Sequence, residues 1–369
     1  MKKLDLNNSR LLSPTMLNVF LKKNHFLHSL TTIGFSVKGK PIYSYRVGNG
    51  SCKVFMWSQM HGNESTTTKA MLDFWIYLKT PVASSLLDQC TFVMIPQLNP
   101  DGSDEYSRYN ANEVDLNRDA INLSQPESIV LQSIYDQFEP HYCFNLHGQR
   151  TIFTAGNTHT PATISFLAPS ADPNSSLTAA RELAMGLIVS ANTKLQKSIP
   201  GAVGRYDDTF NINCVGDYFT SKNTPTVLFE AGHFKDDYQR IISRKYVLES
   251  IIVMCDTIAS SSIADFKIHS YFDIPENYKN LRDIEICNIK TFPEGNSKTS
   301  IKSVFYQFKE HKKRADIVFT PEIVPFYKGL KGLLKIDAQL HEDLKDIVLD
   351  PLNPDYENLT KTISMLIFI

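Results

Sequence analysis

The chain has 369 residues, 42% hydrophobic and 21% charged, enough apolar material to enclose a pocket inside one large domain or two. A formal net charge of -1 gives no general attraction for polyanions, and the one basic run, Lys309–Arg314, is short and reads as a solvated face, so nucleic-acid binding is excluded. The six cysteines, Cys52, Cys90, Cys143, Cys214, Cys255 and Cys287, form no C-x-x-C pair and read as buried free thiols in a reducing compartment.

At the start, Asp5, Asn7, Asn8 and Arg10 interrupt any apolar core of a secretion signal. No stretch reaches the ~20 apolar residues of a membrane span. The expectation is a cytoplasmic protein without membrane contact. Pro14–Lys23 reads as a short amphipathic helix. Lys53–Met60 and Cys90–Pro96 are apolar runs that read as buried strands. Between them, Ser65–Leu78 carries Ala70, Met71, Phe74, Trp75 and Leu78 at helical spacing. Asn99-Pro100-Asp101-Gly102 has the composition of a turn. The stretch from Arg108 to Arg118 reads as a long loop. Ser124-Gln125-Pro126-Glu127 resembles a capping box opening a helix to about Phe138. A strand at Tyr142–Leu146, a helix of roughly 18 residues from Thr178, a strand at Thr226–Glu230 and a helix at Asp236–Ile258 follow. This alternation predicts an α/β fold, a mixed and mostly parallel sheet sandwiched by helices. Near Ser260-Ser261-Ser262 the pattern breaks. Short β-like runs at Asp283–Ile289, Lys302–Phe308 and Asp316–Phe319 then predict a small β-rich C-terminal domain over 263–369, behind a main domain over 1–262.

Three separated segments carry metal-ligand chemistry. His61-Gly62-Asn63-Glu64 lies at the carboxyl end of the first buried strand, the edge where open α/β sheets place ligands. An imidazole and a carboxylate three residues apart can share one cation there, and Gly62 permits tight backbone geometry between them. A solvated loop would show the same pair. A catalytic zinc site needs a third protein ligand and an open position. His147, closing the apolar run Phe144-Asn145-Leu146, is the best candidate. His141, His159 and His233 are alternatives. Glu230 ends the strand Thr226–Glu230, where a buried carboxylate is costly unless paired or used. It is a natural general base beside an activated water, and a structural ion pair is the alternative. Arg118 with Asn117 can grip a carboxylate, and Arg108 can stabilise an oxyanion. A surface loop laced with ion pairs would look alike.

In chain order the motifs are H-G-N-E, N-P-D-G, R-x-N-x-N-x-x-D-L-N-R-D, N-L-H-G and F-E-A-G. Together they resemble the funnel-type zinc metallocarboxypeptidases, the carboxypeptidase A-like family, over roughly residues 35–260. The resemblance implies one zinc ion per chain held by His61, Glu64 and His147. It implies Asn117 and Arg118 at the substrate's terminal carboxylate, Arg108 at the oxyanion and Glu230 as base. It also implies a tyrosine closing over the substrate, which Tyr206 fits better than Tyr218. The substrate so implied is a peptide with a free C-terminal carboxylate. Two other readings stand beside it. One is a zinc amidohydrolase acting on N-acyl amino acids, like aspartoacylase or succinylglutamate desuccinylase, which shares the H-G-N-E and D-L-N-R segments. The other is a non-catalytic peptide-binding module on the same fold. Arg150 or Arg205 are candidates for favouring acidic substrate side chains.

Overall fold

The computed structural model describes residues 9–291, 300–324, 329–345, 347–349 and 356–367. The chain forms two compact units. The first comprises 1–150 and 162–277, and the second 151–161 and 278–369.

The first unit is built on an eight-stranded sheet. Its strands are β1 (Leu30–Phe35), β2 (Pro41–Val47), β3 (Cys52–Ser58), β4 (Cys90–Ile95), β5 (Tyr142–Gly148), β7 (Ile164–Leu167), β8 (Val203–Arg205) and β9 (Thr226–Ala231), while β6 (Thr154–Ala155) belongs to the second unit. The spatial order is β1-β2-β4-β3-β5-β9-β7-β8. The centre, β4-β3-β5-β9, is parallel, and β2 and β7 join it antiparallel on either side. The sheet is therefore mixed with a parallel heart, as expected. Parallel strands are covered on both faces, and β4 is buried at every position.

The helices are α1 (Pro14–Lys23), α2 (Ser65–Leu78), α3 (Ser84–Gln89), α4 (Pro100–Glu105), α5 (Pro126–Phe138), α6 (Ala179–Leu195), α7 (Val215–Ser221) and α8 (Ile241–Ala259). α2, α6 and α8 pack together. On the opposite side, Leu131 and Phe138 of α5 and Val215 and Phe219 of α7 join Phe55, Trp57, Val93, Ile95 and Cys143 of the sheet in one buried cluster. At about 25 cal/mol per Å² of apolar surface removed from water, such packing supplies the main favourable term of folding.

Local chemistry explains where the elements depart from expectation. Asn99-Pro100-Asp101-Gly102 opens a helix, not a bare turn, because Asn99 Oδ1 accepts the Gly102 N–H at 2.8 Å and Pro100 stands in the first turn. The capping box at Ser124 does not form. Asp119 takes the Ser124 N–H and hydroxyl, and the Glu127 carboxylate accepts the Val37 N–H. The last long helix begins at Ile241, not Asp236. Asp237 instead collects the N–H groups of Ile241, Ile242 and Ser243, donors that a helix start leaves without partners. Of the six free thiols, Cys52, Cys214 and Cys287 are only partly buried.

The second unit has strands at Leu281–Thr291, Ser300–Lys313, Asp316–Val324 and Lys331–Asp337. The first three form antiparallel neighbours, and Lys331–Asp337 lies parallel to Leu281–Thr291. Its core joins Ile284, Ile286, Ile289 and Tyr306 to Leu359 and Ile363 of a terminal helix, Tyr356–Ile367. Among the described residues no helix is long and apolar enough to cross a membrane.

Candidate active site

β3 ends at Ser58, and the chain turns sharply beyond it. Gln59 takes the left-handed conformation, at φ +47°. Its side-chain Nε2–H donates to the Gly62 carbonyl at 2.8 Å and lies 3.3 Å from that of Leu12. Gln97 donates to the Leu12 carbonyl at 2.9 Å and to Gln59 Oε1 at 3.1 Å. The whole segment Ser9–Ser13 is buried behind this loop. The Ser65 hydroxyl and the Lys69 ammonium hold the carbonyls of Arg10 and Ser9. Gly62 has a steric role. A Cβ there would stand 1.9 Å from the Gly102 carbonyl carbon, so the loop packs directly against the start of α4.

This turn delivers His61 and Glu64 to a common point. Glu64 is the N-cap of α2 but makes no capping hydrogen bond. Its Oε1 lies 2.8 Å from His61 Nδ1 and its Oε2 lies 3.0 Å from His147 Nδ1. His147 comes from the end of β5, 86 residues further along the chain than His61, and the two Nδ1 atoms stand 3.1 Å apart. One ligand atom from each of His61, Glu64 and His147 falls within 4.8 Å of the others.

The donor set fits a divalent ion. Asp115 Oδ1 accepts from His61 Nε2 at 3.0 Å, which fixes the tautomer and turns a bare Nδ1 inward. Ligand atoms of His61, Glu64 and His147 lie close together, and with Nδ1 bare on both rings all three can offer a lone pair to one cation. Two imidazoles with one glutamate form the zinc set of thermolysin and carboxypeptidase A. Burial penalises charge on Glu64, but His61 and His147 outweigh it and hold the carboxyl well below the usual range. Burial, helped by the charges of His61 and Arg108, lowers His147 against the opposing pull of Glu64. For His61, the Glu64 and Asp115 carboxylates overcome burial and raise the value.

Glu230 is registered directly opposite His147 across β5 and β9. Its Oε2 is buried and has no hydrogen-bond partner among the described residues. Burial, reinforced by the Glu64 charge, pushes its carboxyl well above the ordinary range. Arg108 also reaches the cluster. Its Nε and Nη2 donate to Asp115 Oδ2 at 3.1 and 3.0 Å, and its Nη1 lies 3.5 Å from Glu64. Asn117 is buried, and its Oδ1 accepts the Val215 N–H at 3.0 Å, at the first turn of α7. Arg118 is exposed, with Nη1 donating to the Asn117 carbonyl at 2.6 Å and lying 3.1 Å from Cys214 Sγ. Tyr206 follows β8. It bonds to Asn277, and burial with the charges of Glu230 and Glu64 pushes its phenol up. Tyr218 packs against Phe219.

The alternative histidines go elsewhere. His141 Nδ1 accepts the Lys53 N–H, and His233 packs against Tyr238. His159 lies in the second unit. Arg205 pairs with Glu276 at 2.8 Å. The sequence reading missed Asp115, although it sits in D-L-N-R two residues before Asn117. An acidic partner for a ligand histidine is a recurrent need, and that was the available signal.

Comparisons with known proteins place this geometry. Residues 15–173 match the zinc carboxypeptidase family model, so the family resemblance read from the motifs is borne out over that segment. Carboxypeptidase 2 of Trichophyton tonsurans is 31% identical over 115 residues, which cover 30% of this chain and 21% of that protein. The chain thus spans about a fifth of the length of this curated relative. In solved structures, a metallo-carboxypeptidase from Burkholderia cenocepacia aligns with a TM-score of 0.52 at 18% identity, covering 67% of this chain and 70% of that one. Carboxypeptidase A from Helicoverpa armigera aligns with a TM-score of 0.50 at 16% identity, covering 70% and 76%. At these identities the structural likeness is one of fold, and it is the expected α/β fold.

Proposed function

We propose that this chain is a zinc-dependent carboxypeptidase, removing the C-terminal residue of a peptide by hydrolysis. The observation that carries the reading is the convergence of His61, Glu64 and His147 on one point with Glu230 registered beside them. A zinc ion held by those three side chains would supply Lewis-acid activation of a water and of the scissile carbonyl. Glu230 takes the water's proton and later passes a proton to the leaving amine. Burial and the neighbouring Glu64 raise its carboxyl above the ordinary range, which favours taking up a proton. Arg108 stands beside the ligands and balances charge developing on the carbonyl oxygen. Asn117 and Arg118 hold the free carboxylate and make the reaction an exopeptidase cleavage. Tyr206 covers the bound peptide.

The test uses the zinc-loaded protein and three substrates: a blocked peptide with a free C-terminus, its C-terminal amide, and an N-acyl amino acid. Hydrolysis of the first alone, abolished by chelation and restored by zinc, is the expected result. Turnover of only the N-acyl amino acid would replace the peptidase reading with the amidohydrolase one.

A further inference from the structure

The strand register carries the row of the metal ligand His147 outward to the edge of the sheet. His147 on β5 is registered with Glu230 on β9, Glu230 with Ser165 on β7, and Ser165 with Gly204 on β8. Residues registered side by side share one face of a sheet. The face that holds Glu230 therefore continues through Ser165, which is 0% exposed, and ends at a residue without a side chain. The space over Gly204 belongs to Asn277: a Cβ on Gly204 would stand 1.9 Å from Asn277 Oδ1.

Arg205 straps the chain before Asn277 along β8. Its backbone N–H donates to the Pro275 carbonyl at 2.8 Å, its Nε–H to the Ile274 carbonyl at 3.3 Å, and its guanidinium pairs with Glu276. Asn277 then spends its carboxamide on three neighbours. Its Oδ1 accepts the Ser165 hydroxyl at 3.1 Å, its Nδ2–H donates to Gln149 Oε1 at 3.1 Å, and the Tyr206 hydroxyl is the third partner. Gln149 closes the network, with Nε2–H donating to the Ala162 carbonyl at 2.7 Å and to Ser165 Oγ at 3.2 Å. Tyr206 is thus held at both ends. Its backbone N–H donates to the Phe166 carbonyl on β7 at 3.0 Å, and its hydroxyl meets Asn277. A fixed backbone leaves a tyrosine two side-chain torsions, and a hydrogen bond at the far end of the ring settles both. The phenol so placed lies within range of the charges of Glu230 and Glu64.

Resting on the carboxypeptidase reading, we infer that Asn277 is a positioning residue, holding the Tyr206 ring in the pose that covers the C-terminal residue of the bound peptide. Asn277 touches no reacting atom and acts through the phenol alone. A side chain ordered before the ligand arrives spares the complex the cost of ordering it. Without the Asn277 carboxamide the ring is released among its rotamers. The loss falls on binding that ground state and transition state share, so it raises KM and leaves kcat nearly unchanged.

The experiment compares four zinc-loaded full-length proteins on one blocked peptide with a free C-terminus: the unaltered chain, Asn277→Leu, Tyr206→Phe and the double variant. Asn277→Leu keeps the volume and removes the hydrogen bonds. It should raise KM about 10-fold with kcat within about 3-fold. Tyr206→Phe, which lacks the hydroxyl that Asn277 holds, should show the same rise, and the double variant no further one. An unchanged KM in a folded, zinc-retaining Asn277→Leu overturns the assignment. So does an equal additional rise in the Tyr206→Phe background, or a fall confined to kcat, either of which marks a purely structural role. Should Asn277→Leu fail to fold, Gly204→Ala reaches the same carboxamide without altering it, by driving a methyl against Oδ1, and carries the same expectations in both backgrounds. Absence of hydrolysis in the unaltered protein brings down the peptidase reading, whereas hydrolysis with a KM indifferent to Asn277 and Gly204 brings down this inference alone.

Discussion

Asp115 holds His61 and Arg108 with one carboxylate: its Oδ1 lies 3.0 Å from His61 Nε2, and its Oδ2 accepts the two guanidinium N–H groups. It thereby sets the imidazole's tautomer and parks the arginine beside Glu64. Asp115→Asn removes the charge but keeps the shape, and it should weaken zinc binding about 10- to 100-fold, as expected for a partner of a ligand histidine. Competition with a chromogenic chelator measures this. Unchanged affinity would show that the contact is incidental.

Glu230 Oε2 has no hydrogen-bond partner among the described residues, so its replacement should leave the ligands undisturbed. Glu230→Gln is expected to retain zinc and lower kcat by about 100- to 10,000-fold. Metal content measured together with turnover separates a lost base from a lost metal. Activity within a few-fold of the unaltered protein would remove Glu230 from the base role.

Gly62→Ala forces a methyl against the backbone of Gly102 and Ser103, atoms that cannot swing away as a side-chain tip would. A loss of about 3 kcal/mol of stability is expected, at the upper end for overpacking. A fall in zinc affinity should accompany it, because His61 moves with the loop. Thermal unfolding with and without zinc reports both, and an unchanged melting temperature would contradict the close packing.

Asp217, in the first turn of α7, is buried and accepts the Asn211 N–H at 2.9 Å. Burial raises its carboxyl from 3.8 to about 6. A value raised in the folded state means that the native protein binds this proton more tightly than the unfolded chain does. The contribution to stability is therefore whole below about pH 3.8 and is lost as pH rises through about 6, amounting to on the order of 3 kcal/mol. Asp217→Asn should remove that slope, gaining on the unaltered protein between pH 4 and pH 7. Urea unfolding at several pH values provides the check. A constant difference across that range would be falsifying.

The sheet and the metal cluster were legible in the sequence because each rests on local pattern. Apolar runs such as Cys90–Ile95 mark buried parallel strands, and His61, Glu64 and His147 each stand at a strand or loop end where polarity interrupts such a run. What escaped depends on partners brought together by the fold. Ser124 and Glu127 have capping-box spacing, but Asp119 and Val37 compete for them and win. Asp115 reads as one more loop acid until His61 arrives 54 positions away in the chain. Asn277 gives no sign of a task until the fold brings Ser165, 112 positions back in the chain, to its carboxamide. The segment 151–161 gave no sign that it folds with residues beyond 277.

The buried Ser9–Ser13 segment makes the start of the described chain a brace for the catalytic loop. Through Leu12, Gln59 and Gly62, a tug on the amino-terminal side is transmitted to the peptide bond that carries His61. Proteolytic trimming up to Pro14 would take the Ser9 carbonyl from the Lys69 ammonium and the Leu12 carbonyl from the Gln59 amide, and so slacken from a distance the loop that carries His61 and Glu64. A fusion or affinity handle on that side therefore belongs well ahead of Ser9.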